Sequence, residues 1–357
     1  MNNSPKDTRD LLPKGSALQH ERAPRPLPLF LELVREVSAR EPALAGDALE
    51  GLRAYERAPR RVKPPAKPEI ARIRGATLRD HGGEGPTVVL VPSLINPPRI
   101  LDLDEDVSLT RAIAEMGRRT ILLDWGEASE RSELSVAGHI EQLLLPLLRR
   151  MEQPIALVGY CLGGTMAIAA ANLIPVERVI TLAAPWHFTG YPERSHRALH
   201  EMWQQSHTAA KSLGALPMEV LQAAFWSLDP QRTVRKFADF RHLDAQSDKA
   251  RRFVELEEWA NDGEPLPYPA AKELIEELFN ADRAGHGAWK VGGQTASDRL
   301  AVPAWHLTAE RDLIAPPETA AAGVIVSIAS GHVGMIVGSA RHQLYSALRA
   351  ALDLERR

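Results

Sequence analysis

Apolar positions follow two periodicities, and the change between them falls near residue 70. Phe30, Leu33, Val34 and Val37 recur at the spacing of one helix face, and Leu49, Leu52 and Tyr55 predict a second helix. The first 26 or so residues are polar, carry Pro24 and Pro26, and predict a poorly ordered start. Residues 60–68 are basic and proline-rich, which predicts an extended, solvated linker. From Ile70 onward short apolar runs alternate with helical patterns. The runs at 87–91, 120–125, 155–158 and 179–183 read as core strands, and 70–78 reads as an edge strand. Residues 107–116 and 134–151 predict helices, as does the stretch from Thr165. Continuous apolar strands separated by helices imply a mostly parallel sheet covered on both faces.

This alternation stops between residues 187 and 300 and resumes with strands at 302–307 and 323–328 and a closing amphipathic helix at 344–352. The interruption holds helical patterns and four of the seven tryptophans, Trp203, Trp226, Trp259 and Trp289. A helical insertion between sheet strands is where a cap or lid would sit; equally, the rings could fill a small helical subcore. The expected division is an appendage and linker over 1–68, a core over 69–186 and 301–357, and a cap insertion over 187–300.

The sharpest local signal lies after the strand at 155–158. Gly159-Tyr160-Cys161-Leu162-Gly163-Gly164 joins that strand to the alanine-rich helix from Thr165, the arrangement of a nucleophile elbow. Cys161 stands where serine is usual, and it is the single cysteine of the chain. In an α/β-hydrolase fold the acid follows a late strand and the histidine follows the last one. Asp312 lies after the strand ending near Leu307. His332, between Gly331 and Val333-Gly334, lies after the last strand, whereas His342 falls in the closing helix. Cys161, Asp312 and His332 are therefore the candidate nucleophile, orienting acid and base. The backbone N–H of Leu162 is one candidate oxyanion donor. The second comes from the turn after the strand at 87–91, with Leu94 preferred and Ser93 next.

Composition narrows the chemistry around this constellation. A net charge of −3 gives no electrostatic reason to expect nucleic acid or an anionic membrane surface as partner. One cysteine permits no intramolecular disulfide, which fits a reducing cytoplasm. No apolar run is long enough for a membrane span, the first residues lack the apolar core of a secretion signal, and no metal site is expected. Attack of a thiolate on a thioester exchanges one thioester for another, so the enzyme-bound acyl group stays activated, which favours acyl transfer.

The wider motifs resemble the polyhydroxyalkanoate synthases. The elbow is similar to that family's cysteine box, and the segment from Ile95-Asn96-Pro97-Pro98-Arg99 to Leu103 resembles its stretch after the first core strand. Asp124-Trp125-Gly126, Trp259-Ala260-Asn261-Asp262-Gly263, the segment from Glu310 to Pro316 and Ser330-Gly331-His332-Val333-Gly334 match in order. The resemblance implies polymerisation of 3-hydroxyacyl groups from coenzyme A thioesters, with the growing polyester on Cys161, and no cofactor beyond the CoA of the substrate. It also implies a homodimer or a second synthase subunit, and a cytoplasmic site on polymer granules. The region before the core is shorter than in the long synthases. Overall length resembles the short ones, Tyr160 and Leu162 look closer to the long type, and residues 203–240 match neither. Competing readings are a thioesterase or polyester depolymerase with the same triad, and a non-catalytic granule or partner subunit. Arg194 and Arg197 are candidates for a CoA contact or for solvated surface.

Overall fold

The computed structural model describes residues 23–62, 64–152 and 154–353. The expectation for the first 22 residues lies outside them. The described chain separates into two compact units, one of 23–62 with 229–261, the other holding the rest.

The larger unit is built on an eight-stranded sheet. Its strands are β1 (Glu69–Ile73), β2 (Ala76–Asp80), β3 (Thr87–Val91), β4 (Arg119–Asp124), β5 (Ala156–Tyr160), β6 (Arg178–Leu182), β7 (Ala304–Ala309) and β8 (Val324–Ile328). Their spatial order is β1-β2-β4-β3-β5-β6-β7-β8. From β4 to β8 every pairing is parallel, and β2 runs antiparallel to both β1 and β4. Strands β3, β5 and β6 carry almost wholly buried residues because helices cover both faces, and Val, Ile and Leu suit that two-sided burial.

The single edge strand expected over 70–78 is a hairpin. Arg74 adopts φ 51° and, followed by Gly75, reverses the chain between β1 and β2. The helix expected over 107–116 is α3 (Leu109–Glu115), capped by the Ser108 hydroxyl, which accepts from Arg111 N–H at 3.0 Å. The pattern over 134–151 starts instead at Val136, after the Ser135 cap, and relaxes to a π-helical stretch over Ile140–Leu144. At the far edge β8 pairs on one side only among the described residues. Its Val324 and Ile325 are exposed, so the strand expected at 323–328 is an edge strand despite its apolar run.

Helix α4 (Leu162–Ala171) follows β5 and is hydrophobic all round, with nine of its ten residues buried. Glycines let it lie close to the sheet. A Cβ on Gly159 would come 2.4 Å from the Gly164 Cα, and one on Gly164 would come 2.3 Å from the Ala184 Cβ. Residues 187–300 contribute α5 (Glu193–Leu213) and α6 (Met218–Leu228) to this unit. Their only strands among the described residues are two-residue ladders, as the loss of the strand rhythm implies. Trp203 and Trp289 are buried and donate their indole N–H groups to Glu276 and Glu273 at 2.9 and 2.7 Å.

The smaller unit packs α1 (Leu27–Ser38) and α2 (Pro42–Arg57) with α7 (Pro230–Arg241) and α8 (Asp248–Asn261). Phe30 and Tyr55 meet Phe237 edge-on at 4.7 and 5.7 Å between ring centroids, and Phe240 stacks on Phe253 at 4.4 Å. At the crossing of α2 and α7, Gly51 allows the close approach, since a Cβ there would fall 1.8 Å from the Phe237 carbonyl oxygen. Arg60, read as part of a solvated linker, is instead drawn in. Its guanidinium lies over the Tyr55 ring at 4.4 Å and donates to Glu258 at 3.0 Å.

Candidate active site

Three loops at the carboxyl ends of β5, β7 and β8 bring the predicted residues together. The register aligns those ends: Tyr160 pairs with Leu182, and Ala309 with Ile328. Cys161 follows β5 with φ 55° and ψ −132°, a conformation that a side chain adopts only under strain. Its own N–H is tied to the Leu182 carbonyl at 3.0 Å, and its carbonyl accepts from Gly164 N–H at 2.8 Å. These bonds hold the turn, and the thiol stays partly exposed at the start of α4.

Asp312 is buried beyond β7 with both carboxylate oxygens satisfied. Oδ1 accepts from the N–H groups of Ile314 and Ala315 at 2.8 and 2.9 Å. Oδ2 accepts from His332 Nδ1 at 2.7 Å. The Arg311 N–H donates to the Ser330 carbonyl at 2.8 Å, which locks the acid loop to the histidine loop. With Nδ1 engaged, Nε2 is the ring nitrogen left for the thiol. Burial works against a charged His332, but the Asp312 carboxylate and the Cys161 sulfur outweigh it and lift its pKa to about 10.

The predicted oxyanion donors lie on the segments that this packing joins. Leu162 and Leu94 are both buried, and a Cβ on Gly163 would sit 2.1 Å from the Val91 carbonyl oxygen. The elbow and the 92–95 turn are thus in backbone contact. The N–H groups of Ser93 and Leu94 donate to no protein acceptor among the described residues.

Two tyrosines escaped the sequence reading. Tyr160 lies 5.0 Å from the His332 ring, tilted by 33°, and Tyr191 donates its hydroxyl to the Ile314 carbonyl at 2.8 Å. Burial first, then the charges of Cys161 and Asp312, push both phenols well above their ordinary pKa. Tyr160 sits inside the elbow motif, so its position was visible although its contact was not; nothing in the sequence singles out Tyr191. The Tyr160 hydroxyl is buried without a hydrogen-bond partner among the described residues. Tyr160→Phe keeps the ring on His332 and removes that unsatisfied group, so it is expected to stabilise the fold by about 1 kcal/mol. Denaturant melts check this, and a loss of stability would contradict it.

A cavity of about 570 Å³ lies elsewhere, lined by residues of α3 and of α9 (Arg341–Asp353), and includes none of the predicted site residues. Arg197 pairs with Glu193 at 3.1 Å on the surface of α5. Among the described residues no cluster of three or more His, Cys, Asp or Glu side chains is placed to hold a metal ion, and no helix is long and apolar enough to cross a membrane.

Comparison with known proteins agrees with the resemblance drawn from the motifs. The poly(3-hydroxyalkanoate) polymerase subunit PhaC of Haloferax mediterranei is 27% identical over 275 residues, covering 71% of this chain and 56% of that protein. Its namesake in Haloarcula marismortui is 26% identical, covering 76% and 61%. That of Synechocystis is 26% identical, covering 70% and 72%. The chain thus spans less than two thirds of the two haloarchaeal relatives. No protein-family model matches it. Among solved structures, a bromoperoxidase from Bacillus anthracis aligns with a TM-score of 0.50 at 16% identity, covering 78% of this chain and 95% of that one. The fold is that of the α/β-hydrolases.

Proposed function

We propose that this chain is an acyltransferase that polymerises 3-hydroxyacyl groups from coenzyme A thioesters through a thioester on Cys161. The observation that carries the reading is a lone cysteine on a strained elbow, beside an imidazole paired with a buried carboxylate. Likeness to named polyester polymerase subunits supplies the substrate class.

His332 Nε2 takes the Cys161 proton, and the thiolate attacks the thioester carbonyl. The carbonyl π pair moves to oxygen, where the N–H groups of Leu162 and Leu94 meet it. Collapse breaks the bond to the CoA sulfur, which leaves with the proton from His332. One thioester has replaced another, so little free energy is lost. A 3-hydroxyl then gives its proton to His332 and attacks the Cys161 acyl carbon. The ester forms, and the cysteine sulfur is released. Asp312 holds the imidazole and stabilises its charged form throughout. CoA is substrate and leaving group here, not a resident cofactor. A homodimer or second subunit, a lid drawn from residues 187–300, and a place on polymer granules belong to the same proposal.

Incubation with 3-hydroxybutyryl-CoA, with and without a candidate second subunit, tests the reading. Release of CoA with insoluble polyester is expected. Equimolar CoA and free 3-hydroxybutyrate without polymer would instead make the chain a thioesterase.

A further inference from the structure

Arg131 is 2% exposed, yet no carboxylate is in contact with its guanidinium among the described residues. It donates to the Leu94 carbonyl at 3.2 Å and to His139 Nε2 at 3.2 Å, and its Nε–H has no acceptor among the described residues. His139 cannot serve as a counter-charge. It is fully buried, its Nδ1–H donates to the Ser135 carbonyl at 2.7 Å, and Nε2 is left to accept from Arg131. Burial first, and then the nearby guanidinium, depress the His139 pKa to about 4 despite the Ser135 carbonyl. Glu264 and Asp124 act on Arg131 only at longer range, and burial outweighs them. A buried cation facing a neutral ring and a carbonyl is costly for a fold to hold.

What this cation touches gives it a use. The 92–95 turn is anchored through its carbonyls. Trp125 Nε1 holds Pro92 at 3.0 Å, Arg131 holds Leu94, and the Glu264 N–H holds Ile95 at 2.8 Å. With three of its carbonyls tied into the protein, the turn keeps the N–H groups of Ser93 and Leu94 unspent among the described residues. We infer that Arg131 is a positioning residue for this oxyanion turn, fixing the Leu94 backbone and setting a positive charge behind the donors that meet an attacked carbonyl oxygen. The inference rests on the functional reading above and adds to it a charge that answers the transition state.

The single cysteine makes the test clean. Iodoacetamide alkylates Cys161 by displacement at a saturated carbon, with iodide leaving and no oxyanion formed. p-Nitrophenyl acetate acylates the same sulfur through an oxyanion, releasing p-nitrophenolate. In Arg131→Met, alkylation should stay within about threefold of the parent and the thermal midpoint should hold or rise, while acylation falls about 100-fold. Acylation within threefold of the parent, or both rates falling together, overturns the inference. If Arg131→Met fails to fold, Arg131→Gln is read by the same two rates. A parent that is alkylated but never acylated at Cys161 would remove the functional reading itself, and this inference with it.

Discussion

His332→Ala is expected to lower CoA release from 3-hydroxybutyryl-CoA by about 1,000-fold or more, because in the proposed mechanism one ring handles the proton in both half-reactions. Adding Cys161→Ala to that variant should cost little further, since residues acting as a unit are strongly non-additive. A double variant much slower than either single one would mean that the two side chains act separately. The same ring predicts a dependence of stability on pH. An unfolded histidine titrates near 6.5, whereas His332 in the fold holds its proton to about 10 against the cost of burial, through Asp312 and Cys161. The folded state therefore binds that proton more tightly. The stabilisation is complete below pH 6.5 and is lost as the pH rises to about 10. The stability gap between parent and His332→Ala should narrow across that window in denaturant melts, and a gap that widens there would contradict the assignment.

Gly163→Ala is expected to be the most damaging single methyl group near the site. The new Cβ would meet the Val91 and Pro92 carbonyl oxygens at 2.1 and 2.5 Å, and both belong to backbone that cannot swing aside. Relief requires moving either the elbow and the start of α4, which carry Cys161 and Leu162, or the turn that carries Leu94. A cost of about 3 kcal/mol is expected from the overpacking. At least a tenfold loss of acyl transfer should accompany it in the protein that still folds, because the proposed nucleophile and the proposed second oxyanion donor are forced apart. Gly46, in the helix Pro42–Arg57, is the control. Among the described residues nothing lies within 4 Å of a Cβ there, so Gly46→Ala should stabilise by about 0.5–1 kcal/mol. Equal effects at the two glycines would refute the packing argument.

Local chemistry decides what could be read before the structure. The strands at 87–91, 155–158 and 179–183 are buried on both faces, so their apolar runs name them. The elbow, Asp312 and His332 are tied to chain order and to turns that glycine or a short loop must make. What stayed hidden depends on contacts distant in sequence. Arg131 looks like any charged residue after a strand, and only its contact with Leu94, 37 positions away, sets it apart. Arg60 was indistinguishable from a solvated linker residue, because its partner Glu258 lies 198 positions further on. The hairpin at Arg74 read as one strand since arginine rarely marks a reversal. The grouping of 229–261 with 23–62 had no signal either, because an amphipathic helix declares a buried face but not the partner that covers it.

That grouping bears on how the chain is made. Tyr55 finds Glu258 across 203 positions, and Phe30 and Gly51 wait for Phe237. A ribosome adding about 5–20 residues per second needs roughly 10–40 s to span such a gap. Through that interval α1 and α2 present Phe30, Leu52 and Tyr55 with nothing from α7 or α8 to cover them. Helices α1 and α2 thus wait for partners made roughly 170–200 residues later, and the nascent chain carries an exposed aromatic patch while its sheet is being assembled.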